Sequence, residues 1–288
     1  MSAWDRLKAS RFQTGNLNYS GISIGGERTC HTLSSMDLSL DIGEATPESI
    51  CTSKVFISHL HDDHWSGIKS HFFKRQYLKL LAPSYYVWEN KLEEINTLFK
   101  MSREILGYSG PDLKLPLVSY KTGDRLELTQ RHFALIYLMQ HRITNHGIGL
   151  FELRTKLKQE YVGLDIGKLK KSNPTLELLE QLNYPLFFYS GDTSIEALTS
   201  EILSFETILL ECTILGLPAD PTTQQVNKAG HIHFEDLLNN IKHFKCKRLY
   251  LTHLSSRYNL ITLNQVIPDL LRQLKEKTDI DITFLEVP

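Results

Sequence analysis

The chain has 288 residues, 41% hydrophobic and 23% charged, the balance of an ordinary folded globular chain rather than a disordered or fibrous one. Thirty-two Lys and Arg against thirty-three Asp and Glu leave a net charge of −1, so no overall field draws the chain to nucleic acid or to acidic membranes. The longest apolar runs, such as 133–139, fall far short of the roughly 18 consecutive apolar residues of a membrane span. Met1 to Leu7 has neither an apolar core nor a small-residue cleavage site, so a cytoplasmic protein without membrane attachment is expected.

In chain order, strands are expected over 29–35, 38–42, 54–59 and 78–82, then a helix over 86–100. Strands follow over 125–128, 133–141, 148–153, 186–190 and 208–212, a helix over 234–244, a strand over 249–253, a helix over 262–274 and a strand over 282–287. No linker, repeat or low-complexity stretch divides the chain, which predicts one domain over 1–288. Strands and helices interleave in both halves, which predicts an α/β (α+β) architecture of two mixed β-sheets packed face to face and flanked by helices. The cysteines, Cys30, Cys51, Cys212 and Cys246, lie far apart and form no Cys-x-x-Cys pair, arguing against a disulfide framework or a cysteine zinc site.

Polar residues of ligand type recur at the carboxyl ends of the expected strands: His59, His141, Asp192, Glu211 and His253. Strand ends on a common sheet edge converge in space, which is how a site is built from distant sequence. The segment His59-Leu60-His61-Asp62-Asp63-His64 packs three imidazoles and two carboxylates into six residues directly after an apolar strand. An apolar core does not accept that density unpaired. Neutral imidazole and carboxylate oxygen suit Zn²⁺, with Mn²⁺ or Fe as alternatives.

This segment resembles the signature of the metallo-β-lactamase superfamily, an αββα four-layer sandwich with a dinuclear metal site at one edge. The rest of the pattern follows in order: His141 before Gly147, Ser190-Gly191-Asp192-Thr193, and Leu251-Thr252-His253-Leu254. The resemblance implies two Zn²⁺ ions, one held by His59, His61 and His141, the other by Asp63, His64 and His253, with Asp192 bridging. Glu211-Cys212-Thr213, Gly230-His231-Ile232-His233 and His253-Leu254-Ser255-Ser256-Arg257-Tyr258 are similar to one branch, the ribonuclease Z family. The segment from Thr155 to Leu164 resembles its short, plant-type forms, and the likeness spans nearly the whole chain.

What this resemblance implies is a zinc-dependent endoribonuclease that removes the 3′ trailer of precursor tRNA. A hydroxide held between two metal ions would attack, leaving a 3′ hydroxyl on the tRNA. Asp63, Glu211 and His231 are the implied catalytic residues, Glu211 orienting His231 as general acid. Asp41 and Asp62 are candidates to orient ligating imidazoles. A homodimer is expected from the family.

For substrate binding, Arg257 is placed to grip a phosphate, or else to form a structural ion pair. Arg154, Lys156, Lys158, Lys168, Lys170 and Lys171 oppose only Glu160 and Asp165 within eighteen residues, so a short basic insertion around 154–175 is a candidate tRNA-binding exosite. Lys69, Lys74, Arg75 and Lys79 are candidates to extend that path. The stretch from Leu150 to Ser190 lacks the long Gly/Pro-rich arm of many bacterial members. His233 reads equally as a helix cap or as part of the acid machinery, and His31, His71, His132, His146 and His243 as packing or surface residues. Two other readings stay open: a related metallo-hydrolase acting on small phosphodiesters or cyclic nucleotides, and a non-catalytic RNA-binding protein with the same fold.

Overall fold

The computed structural model describes residues 9–107 and 113–285. Strands pair into two sheets of seven, each in chain order. The first holds β1 (Ser10–Thr14), β2 (Leu17–Ile24), β3 (Arg28–Leu33), β4 (Leu38–Leu40), β5 (Lys54–Phe56), β6 (Ser84–Trp88) and β7 (Leu117–Tyr120). The second holds β8 (Arg125–Thr129), β9 (His132–Met139), β10 (Asn145–Leu157), β11 (Leu179–Tyr189), β12 (Thr207–Glu211), β13 (Arg248–Thr252) and β14 (Asp281–Phe284). Helices α1 (Pro47–Ile50), α2 (Asp62–Trp65), α3 (Ile68–Tyr77) and α4 (Leu92–Ile105) lie in the first half, and α5 (Ile166–Ser172), α6 (Thr223–Lys228), α7 (Phe234–Asn240) and α8 (Leu260–Lys275) in the second. No helix among the described residues is long and apolar enough to cross a membrane.

Side-chain alternation along the strands builds the layers. On β12, Leu209 faces the core between the sheets, while Ile208 and Leu210 face the helices. On β13, Tyr250 points inward and Leu249 and Leu251 outward, where Leu263, Ile267, Leu270 and Leu274 of α8 cover them at helical spacing. The first sheet repeats the scheme: Phe56 faces its partner sheet, and Val55 packs beneath Ile68 and Phe72 of α3 and Ile95 and Phe99 of α4. Two sheets, each buried on both faces, give the expected αββα sandwich.

The sequence shows no repeat, yet the two sheets share one topology. β1 to β4 run antiparallel and β4 to β7 parallel. β8 to β11 run antiparallel and β11 to β14 parallel. The strands whose ends carry chemistry therefore correspond in order: β4 precedes Asp41 as β11 precedes Asp192, and β5 precedes His59 as β12 ends in Glu211.

Several expectations need correction. Residues 78–82 form no strand: this apolar run trails from α3 with Leu78 and Leu81 exposed, and the strand lies beyond Pro83, as β6. The expected helix over 86–100 consequently begins at Leu92. β10 and β11 extend well past the expected 148–153 and 186–190, so Arg154 and Lys156 belong to a long hairpin arm whose far end carries α5. The hairpin β1–β2 and the strand β7 were not expected. Val287, assigned to the last strand, and the N-terminal Met1 to Leu7 lie outside the described residues.

Candidate metal centre

The clustered residues all sit where strands stop. Three residues past β5 the chain delivers His59, then α2 starts at Asp62 and turns Asp63 and His64 back toward the sheet edge. His141 follows β9, Asp192 follows β11 and His253 follows β13. Asp41 (φ 60°) and His253 (φ 62°) both adopt left-handed backbone, uncommon outside glycine and tolerated best by Asp, Asn and His. Gly43 makes room for this turn, since a Cβ there would stand 1.9 Å from the Asp63 carbonyl oxygen.

Two sets of donor atoms result. His59 Nε2 and His141 Nε2 each lie 3.1 Å from His61 Nδ1, and Asp192 Oδ2 lies 3.6 Å from His59 Nε2 and 4.0 Å from His141 Nε2. Across the bridge, His64 Nε2 and His253 Nε2 are 3.1 Å apart, and Asp63 Oδ2 lies 3.6 and 3.3 Å from them. Asp192 Oδ1 stands 3.3 Å from both of those imidazole nitrogens. Two ligand atoms about 2.0–2.1 Å from one tetrahedral zinc ion stand about 3.3 Å apart, so both sets have the spacing of a coordination shell. Asp192 faces one set with each oxygen, and its buried Oδ1 has no hydrogen-bond donor. An orphaned buried oxygen among facing imidazole nitrogens is costly unless a cation sits there; the residues fit two metal ions.

The ring nitrogens pointing away are held by partners that fix each imidazole. His64 Nδ1 is 2.7 Å from Asp41 Oδ2, His141 Nδ1 is 2.8 Å from the Gly230 carbonyl and His59 Nδ1 is 3.0 Å from Ser58 Oγ. His253 Nδ1 lies 3.0 Å from Thr213 Oγ1. Such partners set the tautomer and orientation of metal-binding rings. Gly230 must approach this closely: a Cβ on it would lie 2.5 Å from the His141 Cα. Burial holds His59, His61 and His141 below the ordinary histidine range, keeping them neutral. Burial opposes charge on His64 too, but the Asp192 and Asp41 carboxylates push it well above that range.

Glu211 and His231 meet beside this cluster. His231 Nδ1 donates to Glu211 Oε1 at 2.9 Å, and the fully buried carboxylate also accepts from the Thr193, Thr213 and Ile232 amides and the Thr213 hydroxyl. Burial disfavours the imidazolium, yet Glu211 and Asp192 hold His231 up at about 9. His231, Asp63, Asp192 and His253 line one open cavity of about 450 Å³.

The remaining predicted residues divide. Arg257 lines the same cavity, with its guanidinium 3.4 Å from Asp220 Oδ1. Asp41 orients His64, but Asp62 is exposed as the first residue of α2 and bonds no clustered imidazole among the described residues. His233 caps α7, its Nδ1 accepting from the Glu235 amide at 3.1 Å. Lys156 pairs with Glu180 and Lys168 with Asp165, and with Lys158, Lys170 and Lys171 they sit at the far end of the β10–β11 arm, none lining the cavity. Twelve residues of strand from His146 to Leu157 span about 35 Å, so this patch is remote from the cluster. Arg75 does not extend a basic path: it is buried and donates to the carbonyls of Ile50, Thr52 and Leu81. His31, His71 and His146 are buried outside the cluster, against Tyr19, Tyr85 and Thr122 respectively. Two residues of the centre were not singled out from the sequence: Thr213, which joins Glu211 to His253, and Tyr189, whose hydroxyl donates to Asp41 Oδ2 at 2.5 Å. The signal for Tyr189 was its place at the end of β11, three residues before Asp192.

No family model matches the chain. It is 26% identical over 252 residues to tRNase Z TRZ1 of Arabidopsis thaliana, covering 86% of this chain and 88% of that protein. It is 30% identical over 151 residues to a nuclear ribonuclease Z of Triticum aestivum, covering 52% of this chain and 84% of the relative. Among solved structures, the metallo-β-lactamase fold protein YhfI of Bacillus subtilis superposes with a TM-score of 0.63 at 16% identity over 94% of this chain and 97% of that one. The short form of human tRNase Z superposes with a TM-score of 0.52 at 15% identity over 97% of this chain and 93% of that one. These two likenesses give the chain the metallo-β-lactamase fold. On the identity with the Triticum aestivum protein, the chain belongs to the ribonuclease Z family.

Proposed function

We propose that the chain is a zinc-dependent endoribonuclease that cuts the 3′ trailer from precursor tRNA and leaves a 3′ hydroxyl on the tRNA, acting as a cytoplasmic homodimer. The observation that carries the reading is the pair of donor sets with Asp192 between them, Oδ2 toward one and Oδ1 toward the other, in a chain of this family. His59, His61 and His141 would hold one Zn²⁺, Asp63, His64 and His253 the other, and Asp192 would contribute an oxygen to each; Mn²⁺ or Fe would suit the same donors. When bound, such a pair of ions makes water nucleophilic at neutral pH and polarises a phosphoryl oxygen.

The chain's own residues supply the rest. Glu211 fixes His231 through Nδ1, which leaves Nε2 free to give its proton to the departing oxygen. Asp63, steadied by the Gly26 amide at 2.8 Å, keeps an anionic oxygen against His253. Arg257 at the cavity rim would take a substrate phosphate in exchange for Asp220. The lysines at the end of the β10–β11 arm would hold the tRNA backbone at a distance, without reading sequence.

Cleavage of a precursor tRNA bearing a 3′ trailer, with and without a chelator and with product ends mapped, tests this. Chelator-sensitive release of a tRNA ending in a 3′ hydroxyl at the trailer junction is the expected result. Hydrolysis of bis(p-nitrophenyl) phosphate with the precursor left intact would move the substrate to small phosphodiesters or cyclic nucleotides.

A further inference from the structure

A second cavity, of about 330 Å³, adjoins the metal cluster on the side of the first sheet. That volume lies at the lower end of the roughly 300–1,000 Å³ of small-molecule sites. Its walls include Leu60, Trp88, Lys91, Tyr120, Arg142 and Ile143, and His59 of the cluster closes one side. Arg142 also lines the cavity that holds His231 and Asp192, so this residue stands where the two spaces meet. Among the described residues it has no carboxylate partner, whereas Lys91 is tied to Glu94 at 2.9 Å.

The topology explains why an indole stands here. Trp88 ends β6, the third strand of the parallel set in its sheet, as β13 is the third of the parallel set in the other and leads into His253. The sheet edge that supplies a ring to the metal cluster in one half supplies a tryptophan to the neighbouring cavity in the other. The wall around it is fixed: Trp88 packs on His146 with ring centroids 6.3 Å apart, and the buried His146 is held by Thr122 at 3.1 Å. The Tyr120 hydroxyl donates to the Ile57 carbonyl at 2.8 Å. Nothing in the proposed chemistry uses Trp88 or Arg142.

An aromatic ring with an unpaired guanidinium, one step from a phosphodiester-cleaving centre, has the two parts that hold a nucleotide. Stacking on an aromatic side chain is tolerant of base identity, and a guanidinium takes a phosphate through paired hydrogen bonds. The geometry points to a nucleotide subsite, in which Trp88 stacks the base of a nucleotide flanking the scissile phosphate and Arg142 holds the phosphate that joins that nucleotide to the metal centre. The inference rests on the ribonuclease reading of that centre. The base belongs either to the tRNA end or to the trailer, and its side is a readout of the test.

The experiment is a thermodynamic cycle on zinc-loaded protein. Wild type, Trp88→Ala, Trp88→Phe and Arg142→Ala are compared on precursors made abasic at the nucleotide 5′ or 3′ of the cleavage point. One stacked base is worth about five- to 150-fold in binding. One of the two abasic precursors should therefore lower the wild-type kcat/KM by about fivefold or more, which identifies the side. The same substrate should cost Trp88→Ala little, because the stack is already gone, and Trp88→Phe should regain the sensitivity. Arg142→Ala should raise KM on the intact precursor. If wild type cleaves the intact precursor but neither abasic site matters, or the loss is equal in wild type and Trp88→Ala, the subsite is refuted and the ribonuclease reading stands. If wild type hydrolyses bis(p-nitrophenyl) phosphate but not the intact precursor, the reading fails and the subsite falls with it. The wild-type arm needs no variant to fold, and Trp88→Leu, which fills the wall without a stacking face, replaces Trp88→Ala if that protein is unstable.

Discussion

Asp41→Asn isolates the support of one metal-facing imidazole. The Asp41 carboxylate is fully buried and accepts four hydrogen bonds: from Ser58 N to Oδ1 at 2.7 Å, and to Oδ2 from Tyr189 Oη at 2.5 Å, His64 Nδ1 at 2.7 Å and Ser58 Oγ at 2.8 Å. Asparagine tolerates the positive φ, so the substitution adds no backbone strain. Its amide oxygen will take the place of Oδ2, where three donors converge, leaving the NH₂ to face the Ser58 amide. A buried N–H without an acceptor costs about 1–3 kcal/mol, and losing the charge from the His64 bond adds about 1 kcal/mol. A loss of about 2–4 kcal/mol in unfolding free energy is expected, measured by denaturant titration in the presence of chelator. With His64 no longer pinned, zinc affinity should fall about 10- to 100-fold, read by competition with a chromophoric chelator. An Asp41→Asn protein with wild-type stability and wild-type zinc affinity would refute the idea that this carboxylate sets the His64 ring.

His231→Ala should lose roughly two to four orders of magnitude in kcat while keeping its zinc, because proton donation is separable from binding the ions; full activity would remove His231 from the reaction. Asp192→Ala should lose zinc and activity together by metal analysis, since both of its oxygens face donor sets. His71, fully buried, donates from Nε2 to the Ser49 carbonyl and accepts from the Tyr85 hydroxyl, and burial holds it down at about 4. The unfolded chain then binds the proton first, so the His71 contribution to stability is intact above pH about 6.5 and is lost as pH falls toward about 4, by up to about 3 kcal/mol. His71→Gln should flatten that part of the stability curve, and an unchanged slope would count against a neutral buried imidazole. Replacing Lys168, Lys170 and Lys171 together with Ala should weaken precursor-tRNA binding and reduce the log–log salt slope by about two to three; an unchanged slope would take the arm out of tRNA binding.

The centre was legible in the sequence because its residues lie next to strands with strong apolar signals. His59 follows Val55-Phe56-Ile57, Asp192 follows Phe187-Phe188-Tyr189 and His253 follows Leu249-Tyr250-Leu251, so strand and chemistry announce each other. The fold class followed from the same alternation. Legibility failed where composition and burial part company. Leu78, Leu80 and Leu81 have the composition of a strand but are exposed, while Tyr85 and Val87 of β6 carry the burial. The β1–β2 hairpin turns on Gly15-Asn16, a short-range signal in a stretch whose outward positions are polar. The length of β10 and β11 was hidden because their outer ends bury neither face: Leu179 and Leu182 lie exposed among polar neighbours, so composition there does not separate strand from loop.

The cluster is divided between the two sheets: His59, His61, Asp63 and His64 come from the first, His141, Asp192 and His253 from the second. Each bound ion is then a staple across the sandwich as well as a reagent. An ion present at about a thousand times its dissociation constant holds the folded chain by about 4 kcal/mol, a large part of the stability of an ordinary domain. Metal supply would therefore set the chain's margin against unfolding as well as its activity, the metal-free chain staying folded with less to spare.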